Sequence, residues 1–434
     1  MKRLTALLLC CLMVGSFALQ SAAAPLGDLF SAQAQVEQKQ PEQSDSDTTP
    51  STPAIDSDYA TGAQKLDVSQ GTVPFIDESD PLMQNLAVYM VELTTDTLIH
   101  SRNADVQKYP ASLTKIMTAI LTLEHFPDLS QELTFTAELQ NYVYEINVSY
   151  GGGISTGGIV LNETLTVEQL LYAIMLPSAN EAAVMLAYEM GDGSLEKFAQ
   201  MMNDKARELG CTGTNFVNSN GLFNENHYST AYDMALLGQA CLQQEQLREM
   251  MATKSITFDQ RVMTNHNKLL WRYDGCIGMK TGYTEKSGRT LVSAAERDGL
   301  TLVCVTLNDP NDWADHAALF DFGFETYRAE RPLEAGQPVG YLPAVNSLVP
   351  VCPIVAQYDA VLCVGAGEQV SQELTLTKEV LEAPVPVGTE VGEVVIRVDG
   401  AECARVSLVT GQQMPDNLAP HQGFLGWWFQ TLAG

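Results

Sequence analysis

Apolar residues recur at intervals of three and four positions through the middle of the chain. The repeat is clearest over residues 111–123, where it predicts a helix with a buried stripe formed by Leu113, Ile116, Met117, Ile120 and Leu121. Pro110 precedes this stretch and suits the first turn of a helix, where its missing N–H is not needed. Similar periodicity continues to about residue 247 and predicts a mainly helical region.

Strand-like runs lie on both sides of the helical region. Before it, LAVYMVEL (86–93) and TLIHSRN (97–103) flank a short turn and predict a hairpin. After it, strand patterns return in CIGMKTG (276–282), RTLVSAAER (289–297) and LTLVCVTLND (300–309). A helix is predicted from about residue 313 to 322. Strands from both ends would then share one sheet with helices inserted between them, which is an α+β arrangement.

Composition divides the rest of the chain. Residues 1–24 place two basic residues before an uncharged apolar stretch that ends in small residues, the pattern of a secretory signal peptide. Residues 25–80 are rich in Gln, Ser, Thr, Pro and Asp and predict a disordered acidic linker. Residues 326–410 hold short β-rich runs separated by Gly and Pro, which predict a small all-β domain. We therefore expect an exported protein whose first folded domain spans residues 81–325.

The charge balance excludes some classes of partner. The 434 residues include 24 Lys and Arg against 53 Asp and Glu, so the formal net charge is −29. A protein this acidic is a poor electrostatic partner for nucleic acid or anionic lipid. We expect no nucleic-acid partner.

Cysteines and histidines give no sign of a metal site. Two of the nine cysteines lie in the predicted signal peptide, and the other seven include no C-x-x-C pair. An odd number in an exported protein requires at least one free thiol, and we expect these side chains to be buried as small hydrophobic groups. The six histidines show no H-E-x-x-H pairing. The sequence predicts no metal and no cofactor.

Ser112 and Lys115 stand three residues apart at the head of the first predicted helix, in YPASLTKIMTAI (109–120). Residues at this spacing share a helix face, so the hydroxyl and the amine can touch. Lysine can activate a serine if burial or a second cation lowers its pKa from about 10.4. Free N–H groups at a helix start can also hold a developing oxyanion.

The same spacing recurs at Ser194 and Lys197, in a Gly- and acid-rich turn, so the spacing alone does not identify a site. Two further motifs favour the first pair. Ser178-Ala179-Asn180 stands at a helix junction, and Lys280-Thr281-Gly282 ends a predicted strand. Three motifs in this order, on helix, loop and strand, predict a nucleophilic serine site.

With these motifs the sequence resembles the serine D-Ala-D-Ala carboxypeptidases among the low-molecular-mass penicillin-binding proteins, of the Gram-positive type. The resemblance runs from about residue 82 to 410 and includes the segments 198–237, 265–275 and 311–327. It implies a β-lactamase/transpeptidase-like domain, an antiparallel sheet with an inserted helical region, followed by the small all-β domain. It also implies that peptidoglycan stem peptides are substrates and β-lactam antibiotics covalent inhibitors, with no cofactor.

The resemblance implies a role for each motif residue. Ser112 would attack the carbonyl between two D-alanines, and Lys115 would accept its proton. Ser178 would pass a proton to the leaving amine, and Asn180 would orient the substrate amide and Lys115. Read as ordinary structure instead, Ser178 and Asn180 would cap a helix through their side chains.

The third motif would recognise the end of the substrate. The resemblance implies that Lys280 and Thr281 bind the terminal carboxylate and that Gly282 lets the strand lie close to the peptide. The N–H of Tyr283 would join that of Ser112 in an oxyanion hole. As ordinary structure, Lys280 would be a solvated strand end.

Some positions depart from the family pattern. Ala179 replaces the Gly that many members carry, which should be tolerated. Some members use an arginine before the last helix at the carboxylate site, and residues 308–313 contain none, so that role is vacant or falls to Arg289 or Arg297. The stretch SYGGGISTGG (149–158) lacks the Gly-Lys-Ser/Thr ending of a phosphate-binding loop, and we expect a flexible loop near the site.

Residues 411–434 form a tail whose end is aromatic and apolar, with Phe424, Leu425, Trp427, Trp428 and Phe429. This segment is too short to span a bilayer of about 30 Å but suits its interface, so we expect a peripheral membrane anchor. The alternative is that it packs on the all-β domain.

Three related activities stay open at the level of sequence. An endopeptidase or a cross-linking transpeptidase would use the same acyl-enzyme and differ in the acceptor. A class A β-lactamase would share the three motifs, but no Glu-x-x-Leu-Asn element follows Asn180 at a suitable distance.

Overall fold

The computed structural model describes residues 85–259 and 261–416. The predicted signal peptide and linker (1–80) and the aromatic end of the tail lie outside the described residues, so these assignments stay predictions. Nowhere in the described ranges is a helix both long enough and apolar enough to cross a membrane.

The first part of the fold, up to residue 326, surrounds one central sheet with helices. In chain order its elements are β1 (Ala87–Glu92), β2 (Thr97–Arg102), a 3₁₀ turn (Ala111–Thr114), α1 (Lys115–His125), β3 (Glu132–Thr134), α2 (Ala137–Ser149), β4 (Thr164–Thr166), α3 (Val167–Met175), α4 (Asn180–Met190), α5 (Leu195–Glu208), α6 (Ala231–Leu242), α7 (Glu245–Ala252), β5 (Ser255–Phe258), β6 (Arg261–Thr264), α8 (Leu269–Arg272), β7 (Cys276–Gly278), β8 (Thr281–Thr284), β9 (Gly288–Arg297), β10 (Leu300–Leu307) and α9 (Asp312–Thr326). The central sheet is antiparallel, in the order β2-β1-β10-β9-β7, and β8 also pairs with β9. β3 pairs with β4, and β5 with β6.

Both faces of the central sheet are covered. In β1, Tyr89 and Val91 pack into the main core with helices α1, α3, α4 and α6. Val88 and Met90, on the opposite face, belong to a second core with residues of α9 such as Phe320. Alternate strand residues point to opposite faces, so every residue of a strand faces a covered side when the sheet is covered on both sides. This explains why all six residues of β1 are buried.

Four helices of the insertion, α2, α3, α5 and α6, begin at a side chain that caps the helix. Thr166 and Gln169 form a reciprocal capping box at the start of α3, and Thr230 accepts a hydrogen bond from the N–H of Asp233 in α6. α4 differs, because its N-cap residue is Ala179 and no side chain caps it. The start of α4 is therefore held by other contacts, which are described below with the site.

The second part of the fold is built from β-strands. Its elements are β11 (Tyr327–Leu333), β12 (Pro338–Val345), β13 (Val351–Ala356), β14 (Ala360–Gly365), β15 (Val370–Leu376), β16 (Leu381–Glu382), β17 (Glu390–Val398) and β18 (Ala401–Thr410). Six strands form a sheet in the order β15-β17-β18-β13-β12-β16, and β11 pairs with β14. These strands enclose a separate apolar core that includes Leu342, Ile354, Ile396 and Leu408.

The predicted fold class, α+β with an inserted helical region and a following β-rich part, is confirmed. Three local predictions are corrected. Ser112 lies in a 3₁₀ turn before α1 and not inside a regular α-helix, and α9 extends beyond the predicted range at both ends. The expectation that all seven cysteines are buried is wrong for Cys403, which is exposed, and for the half-buried Cys276 and Cys363. The predicted domain limits stay predictions.

Candidate active site

The turn that carries Ser112 is held in an unusual backbone conformation. Ala111, directly before the serine, has φ 51°, in the left-handed region that residues with a side chain rarely adopt. The hydroxyl of Thr114 closes the turn by donating to the Ala111 carbonyl at 2.9 Å. Gly221 packs against that same carbonyl, so closely that a Cβ on it would lie 1.7 Å from the oxygen. The turn that carries Ser112 is thus fixed by its neighbours rather than by local preference.

Lys115 begins α1 with its side chain fully buried. Its Nζ lies 3.1 Å from Ser112 Oγ, 3.0 Å from Asn180 Oδ1 and 2.8 Å from the Asn220 carbonyl oxygen. A neutral amine has two N–H donors and one lone pair. When the amine is neutral, Asn180 and Asn220 accept hydrogen bonds from its two N–H groups, and its lone pair then faces the hydroxyl of Ser112, which can donate to it. This geometry is that of a general base.

The electrostatic surroundings favour the neutral form of Lys115. Burial lowers its pKa well below the usual value, the charge of Lys280 lowers it further, and Glu181 acts in the opposite direction. A buried ammonium is costly when few counter-charges are near. The amine can therefore accept a proton from Ser112 near neutral pH, as nucleophilic catalysis requires.

The second motif places a hydroxyl and an amide in the same cavity. Ser178 has φ 64°, and its buried Oγ has no hydrogen-bond partner among the residues that the structure describes. Asn180 directs its Oδ1 to Lys115 and its Nδ2 to the Ser155 carbonyl, at 2.8 Å. Neither side chain caps α4, so the reading of this motif as an ordinary helix cap is wrong.

The third motif brings a buried lysine, Lys280, and a strand position without a side chain, Gly282, to the site. Lys280 is 1% exposed, which contradicts its reading as a solvated strand end. Its Nζ donates to the Thr281 carbonyl at 2.8 Å, and burial lowers its pKa to about 7. A Cβ on Gly282 would lie 2.9 Å from the Ser112 nitrogen and 2.4 Å from Thr290 Oγ1. Only glycine lets β8 lie this close to the nucleophile turn.

Three described residues that are neither Gly, Asn nor Asp have a positive φ, and all three lie at the motifs. Ala111 precedes Ser112, Ser178 opens the second motif, and Met279, with φ 90°, precedes Lys280. Such conformations cost about 1–3 kcal/mol each and persist where the surrounding structure enforces them. Their coincidence with all three motifs indicates a site arranged for function.

One cavity of about 580 Å³ is lined by residues from all three motifs. These include Ser112, Ser178, Asn180, Thr281, Gly282 and Tyr283. The glycine-rich loop forms one wall through Gly152, Gly153, Ile154 and Ser155, as expected of a loop near the site. Phe223 and Trp313 add apolar surface. The cavity therefore combines the hydroxyls of Ser112 and Ser178 with other polar groups in a space suited to a peptide end.

The structure distinguishes the two candidate arginines. Arg289 lines the cavity on β9, directly opposite Tyr283 in the register. Its guanidinium is held by Asp312 Oδ1, at 3.0 Å from Nη2, and stacks on Trp313 with 5.4 Å to the ring centroid. Arg297 instead contacts Tyr273 and Phe324 and does not line the cavity.

Sequence reasoning missed three contributors to the site. The Asn220 carbonyl on Lys115 belongs to a segment noted only for its resemblance, and a backbone oxygen leaves no sequence signal. Glu181 follows the second motif and is buried. His266 lines the cavity, and burial together with the charges of Lys280, Lys115 and Lys268 lowers its pKa. Over the described ranges, no group of three or more His, Cys, Asp or Glu side chains is placed to bind a metal ion.

Comparison with known proteins gives two adjoining family matches. The family model for D-alanyl-D-alanine carboxypeptidase matches residues 77–311, and that for the C-terminal domain of penicillin-binding protein 5 matches residues 324–416. D-alanyl-D-alanine carboxypeptidase DacF of Bacillus subtilis is 28% identical over 336 residues, which cover 75% of this chain and 84% of the relative. DacA of Escherichia coli is 27% identical over 334 residues, covering 75% and 83%.

Solved structures give the same assignment. Penicillin-binding protein 5 from Haemophilus influenzae matches with a TM-score of 0.61 and 26% identity, covering 76% of this chain and 97% of that chain. A Streptomyces DD-transpeptidase matches with a TM-score of 0.52 and 30% identity, covering 55% of this chain and 96% of that chain. Because the first family model spans more than half of the sequence, this chain belongs to the D-alanyl-D-alanine carboxypeptidase family of serine peptidases, penicillin-binding enzymes that act on peptidoglycan peptides.

Proposed function

We propose that Ser112 is the nucleophile and Lys115 the general base of a carboxypeptidase that releases the terminal D-alanine from peptidoglycan pentapeptide stems. The observation that carries this proposal is the buried Lys115 amine, 3.1 Å from Ser112 Oγ, with its two N–H donors matched to other acceptors. Removal of that D-alanine trims the supply of stems for cross-linking.

Acylation begins when Lys115 takes the proton of Ser112 and Oγ attacks the carbonyl between the two D-alanines. The N–H groups of Ser112 and Tyr283 hold the oxyanion that forms. The close approach of Gly282 to the Ser112 nitrogen supports this pairing, because it brings β8 beside the nucleophile turn. The C–N bond then breaks, and D-alanine leaves with a proton delivered through Ser178.

Ser178 suits a proton relay because its hydroxyl has no fixed partner within the described structure. A committed hydrogen bond would have to break before the hydroxyl could pass a proton to the leaving amine. Asn180 holds Lys115 through Oδ1 at 3.0 Å and orients the substrate amide. Water then attacks the acyl carbon while Lys115 accepts its proton. The bond between the acyl carbon and Ser112 Oγ breaks as Lys115 gives that proton to Oγ, which frees the shortened peptide and restores Ser112.

The free carboxylate of the substrate binds Lys280, Thr281 and Arg289. Burial lowers the pKa of Lys280 to about 7, so the amine is partly charged at neutral pH, and a bound carboxylate favours the charged form. Arg289 supplies a second positive charge at the cavity wall. The Lys280 cation also keeps Lys115 neutral, which links recognition of the substrate to activation of the nucleophile.

A single substitution tests the carboxylate site. Lys280→Ala should raise KM and also lower kcat, because it removes both the carboxylate contact and a charge that depresses the pKa of Lys115. Amidation of the peptide terminus should reproduce only the binding defect. Exposed Lys254 serves as the matched control for loss of a lysine. If the wild type cleaves the amidated peptide as fast as the free acid, Lys280 does not set a carboxylate requirement and endopeptidase activity becomes the better assignment.

Transfer of the acyl group to an amine is the second candidate reaction. It is favoured by the similarity to the Streptomyces enzyme named a DD-transpeptidase. Incubation of the purified protein with a pentapeptide stem, with and without an amine acceptor, separates the two by product mass. A tetrapeptide as the main product in the presence of acceptor supports the carboxypeptidase.

We further propose that the protein is exported and contacts the membrane through the tail that contains Trp427 and Trp428. Five apolar side chains at about 1.5–3 kcal/mol each, before ordering costs, suffice to hold such a segment at an interface. Fractionation of the mature protein with and without residues 424–434 tests this. A full-length protein that fractionates as freely soluble contradicts the anchor.

A further inference from the structure

Glu181 is a buried carboxylate beside the second motif, 3% exposed. Its Oε1 accepts hydrogen bonds from the hydroxyl of Thr156, from the N–H of Gly157 at 2.7 Å and from the N–H of Ile159 at 3.3 Å. A carboxylate is costly to bury unless its oxygens find donors. All three donors lie in one short segment, the end of the glycine-rich loop that walls the cavity.

The loop consists of two differently supported parts. Gly151, Gly152 and Gly153 have positive φ, and a Cβ on any of them would meet nothing within 4 Å. Residues 155–159, which we call the attached limb, contact the fold at two points. A Cβ on Gly157 would lie 3.0 Å from that of Ala179, and Ile159 is buried, whereas a Cβ on Gly158 between them would meet nothing within 4 Å. Glu181 therefore fixes the one part of the loop that touches the start of α4.

The attached limb begins at Ser155, whose carbonyl oxygen accepts two hydrogen bonds from Asn180. It accepts from the Asn180 backbone N–H at 3.1 Å and from Nδ2 at 2.8 Å. An amide has a donor end and an acceptor end. Because Nδ2 is bound to Ser155, the acceptor Oδ1 faces Lys115 at 3.0 Å. The Ser155 carbonyl thus decides which end of the amide meets the base.

We propose that Glu181 is a positioning residue for acyl transfer, which holds the attached limb so that the Ser155 carbonyl keeps Asn180 oriented toward Lys115. The inference rests on the roles proposed above for Ser112, Lys115 and Asn180, and it adds the group that maintains their geometry. It also explains why α4 begins without a side-chain cap, because its first N–H is bound to Ser155 instead.

The charge of Glu181 has a separate, measurable effect. The charged groups acting on Lys115 are Lys280, which lowers its pKa, and Glu181, which raises it, while His266 on the cavity wall is in turn influenced by Lys115. Loss of the Glu181 charge should lower the pKa of Lys115 further. The amine would then stay neutral to lower pH. In a plot of acylation rate against pH, the rise on the acidic side, which we call the acidic limb, should therefore move to lower pH.

Two substitutions separate attachment from charge. Glu181→Gln keeps an acceptor oxygen for the loop, so it should retain most of the acylation rate with a fluorescent penicillin but shift the acidic limb to lower pH. Glu181→Ala removes the attachment and should lower that rate about 10- to 100-fold, as expected when a reacting group is misplaced. It should also speed hydrogen exchange at the amides of residues 155–159.

Controls distinguish this role from a general loss of structure. Thr156→Val removes the hydroxyl that donates to Glu181 and accepts from the N–H of Gly158, and it leaves the charge of Glu181 in place, so the rate should fall modestly with no shift of the acidic limb. Glu189→Gln, at an exposed position of the same helix, should change neither. If Glu181→Ala does not fold, Thr156→Val decides, because it weakens the attachment and keeps the charge. A wild-type acylation rate together with unchanged hydrogen exchange at residues 155–159 then overturns the positioning role.

Ser112→Ala, measured in parallel, separates failure of this inference from failure of the proposed function. If Ser112→Ala is still labelled, the assigned nucleophile is wrong and the role of Glu181 falls with it. If Ser112→Ala loses labelling while both Glu181 variants behave as the wild type, in rate, pH profile and exchange, only the positioning role is overturned.

Discussion

The chain contains two Ser-x-x-Lys sequences at helix starts, and they adopt different structures. At Ser112 the backbone forms a 3₁₀ turn and the lysine side chain folds back into the protein, with Nζ on the serine hydroxyl. At Ser194 the serine is the N-cap of α5, and its Oγ accepts a hydrogen bond from the backbone N–H of Lys197 at 3.1 Å. The second serine meets the backbone of its lysine and not the amine.

The two lysine side chains also differ in environment. The Lys115 amine is enclosed and meets two carbonyl-type acceptors besides the serine. The Lys197 side chain is 53% exposed and forms an ion pair with Asp192 on the surface. Identical spacing therefore yields a serine hydroxyl in contact with a buried amine in one place and a helix cap in the other, because burial and neighbours differ.

The largest effect that separates the two sites is covalent trapping by a β-lactam. Penicillin mimics the D-Ala-D-Ala terminus, so it should acylate Ser112 and leave an adduct visible in the intact mass. Ser112→Ala should show no adduct, and Ser194→Ala should be labelled like the wild type. Peptide mapping that places the mass gain on another residue, or labelling that survives Ser112→Ala, would remove the proposed mechanism.

A smaller effect is expected from the base. Lys115→Arg keeps the positive charge but cannot deprotonate, so the acylation rate should fall by about 10²- to 10⁴-fold. In the wild type the rate should rise as pH increases through the depressed pKa of Lys115, because only the neutral amine accepts the serine proton. Acylation rates measured across the neutral pH range give both the loss of rate in Lys115→Arg and the pH dependence of the wild type.

Lys197→Arg is the matched control for this comparison, since it makes the same change at an exposed ammonium. Its pH profile and rate should equal those of the wild type. A Lys115→Arg enzyme with wild-type acylation would show that some other group takes the serine proton.

Much of the fold could be predicted because hydrophobic periodicity survives in it. The hairpin of β1 and β2 and the strands β9 and β10 follow the apolar runs in the sequence, since a sheet covered on both faces needs apolar residues at nearly every position. The 3₁₀ turn at Ser112 was missed because its shape depends on Gly221, more than a hundred residues away. Periodicity reports burial and carries no information on such long-range contacts.

The site shows the same limit. Residue types at motif spacing indicated the side chains Ser112, Lys115 and Lys280, whose chemistry is specific to them. The sequence could not indicate the carbonyls of Asn220 and Ser155, because every residue carries one. The sequence also did not decide between Arg289 and Arg297 as the arginine near the carboxylate site. The strand register was needed to place Arg289 at the cavity.

The smallest effect concerns the second serine as a structural residue. Ser194→Ala removes the acceptor for the Lys197 N–H, one of the unpaired donors at the start of α5, and should cost about 1 kcal/mol of stability, within a range of about 0.5–2. Ser194→Asp should restore most of that loss, because its carboxylate can also cap the helix and interacts favourably with the helix N-terminus. Chemical denaturation gives the free energy of unfolding, and penicillin acylation of the same samples should be unchanged. A Ser194→Ala protein of full stability would contradict the capping role, and one with slowed acylation would mean that the two Ser-x-x-Lys sites are coupled and not independent.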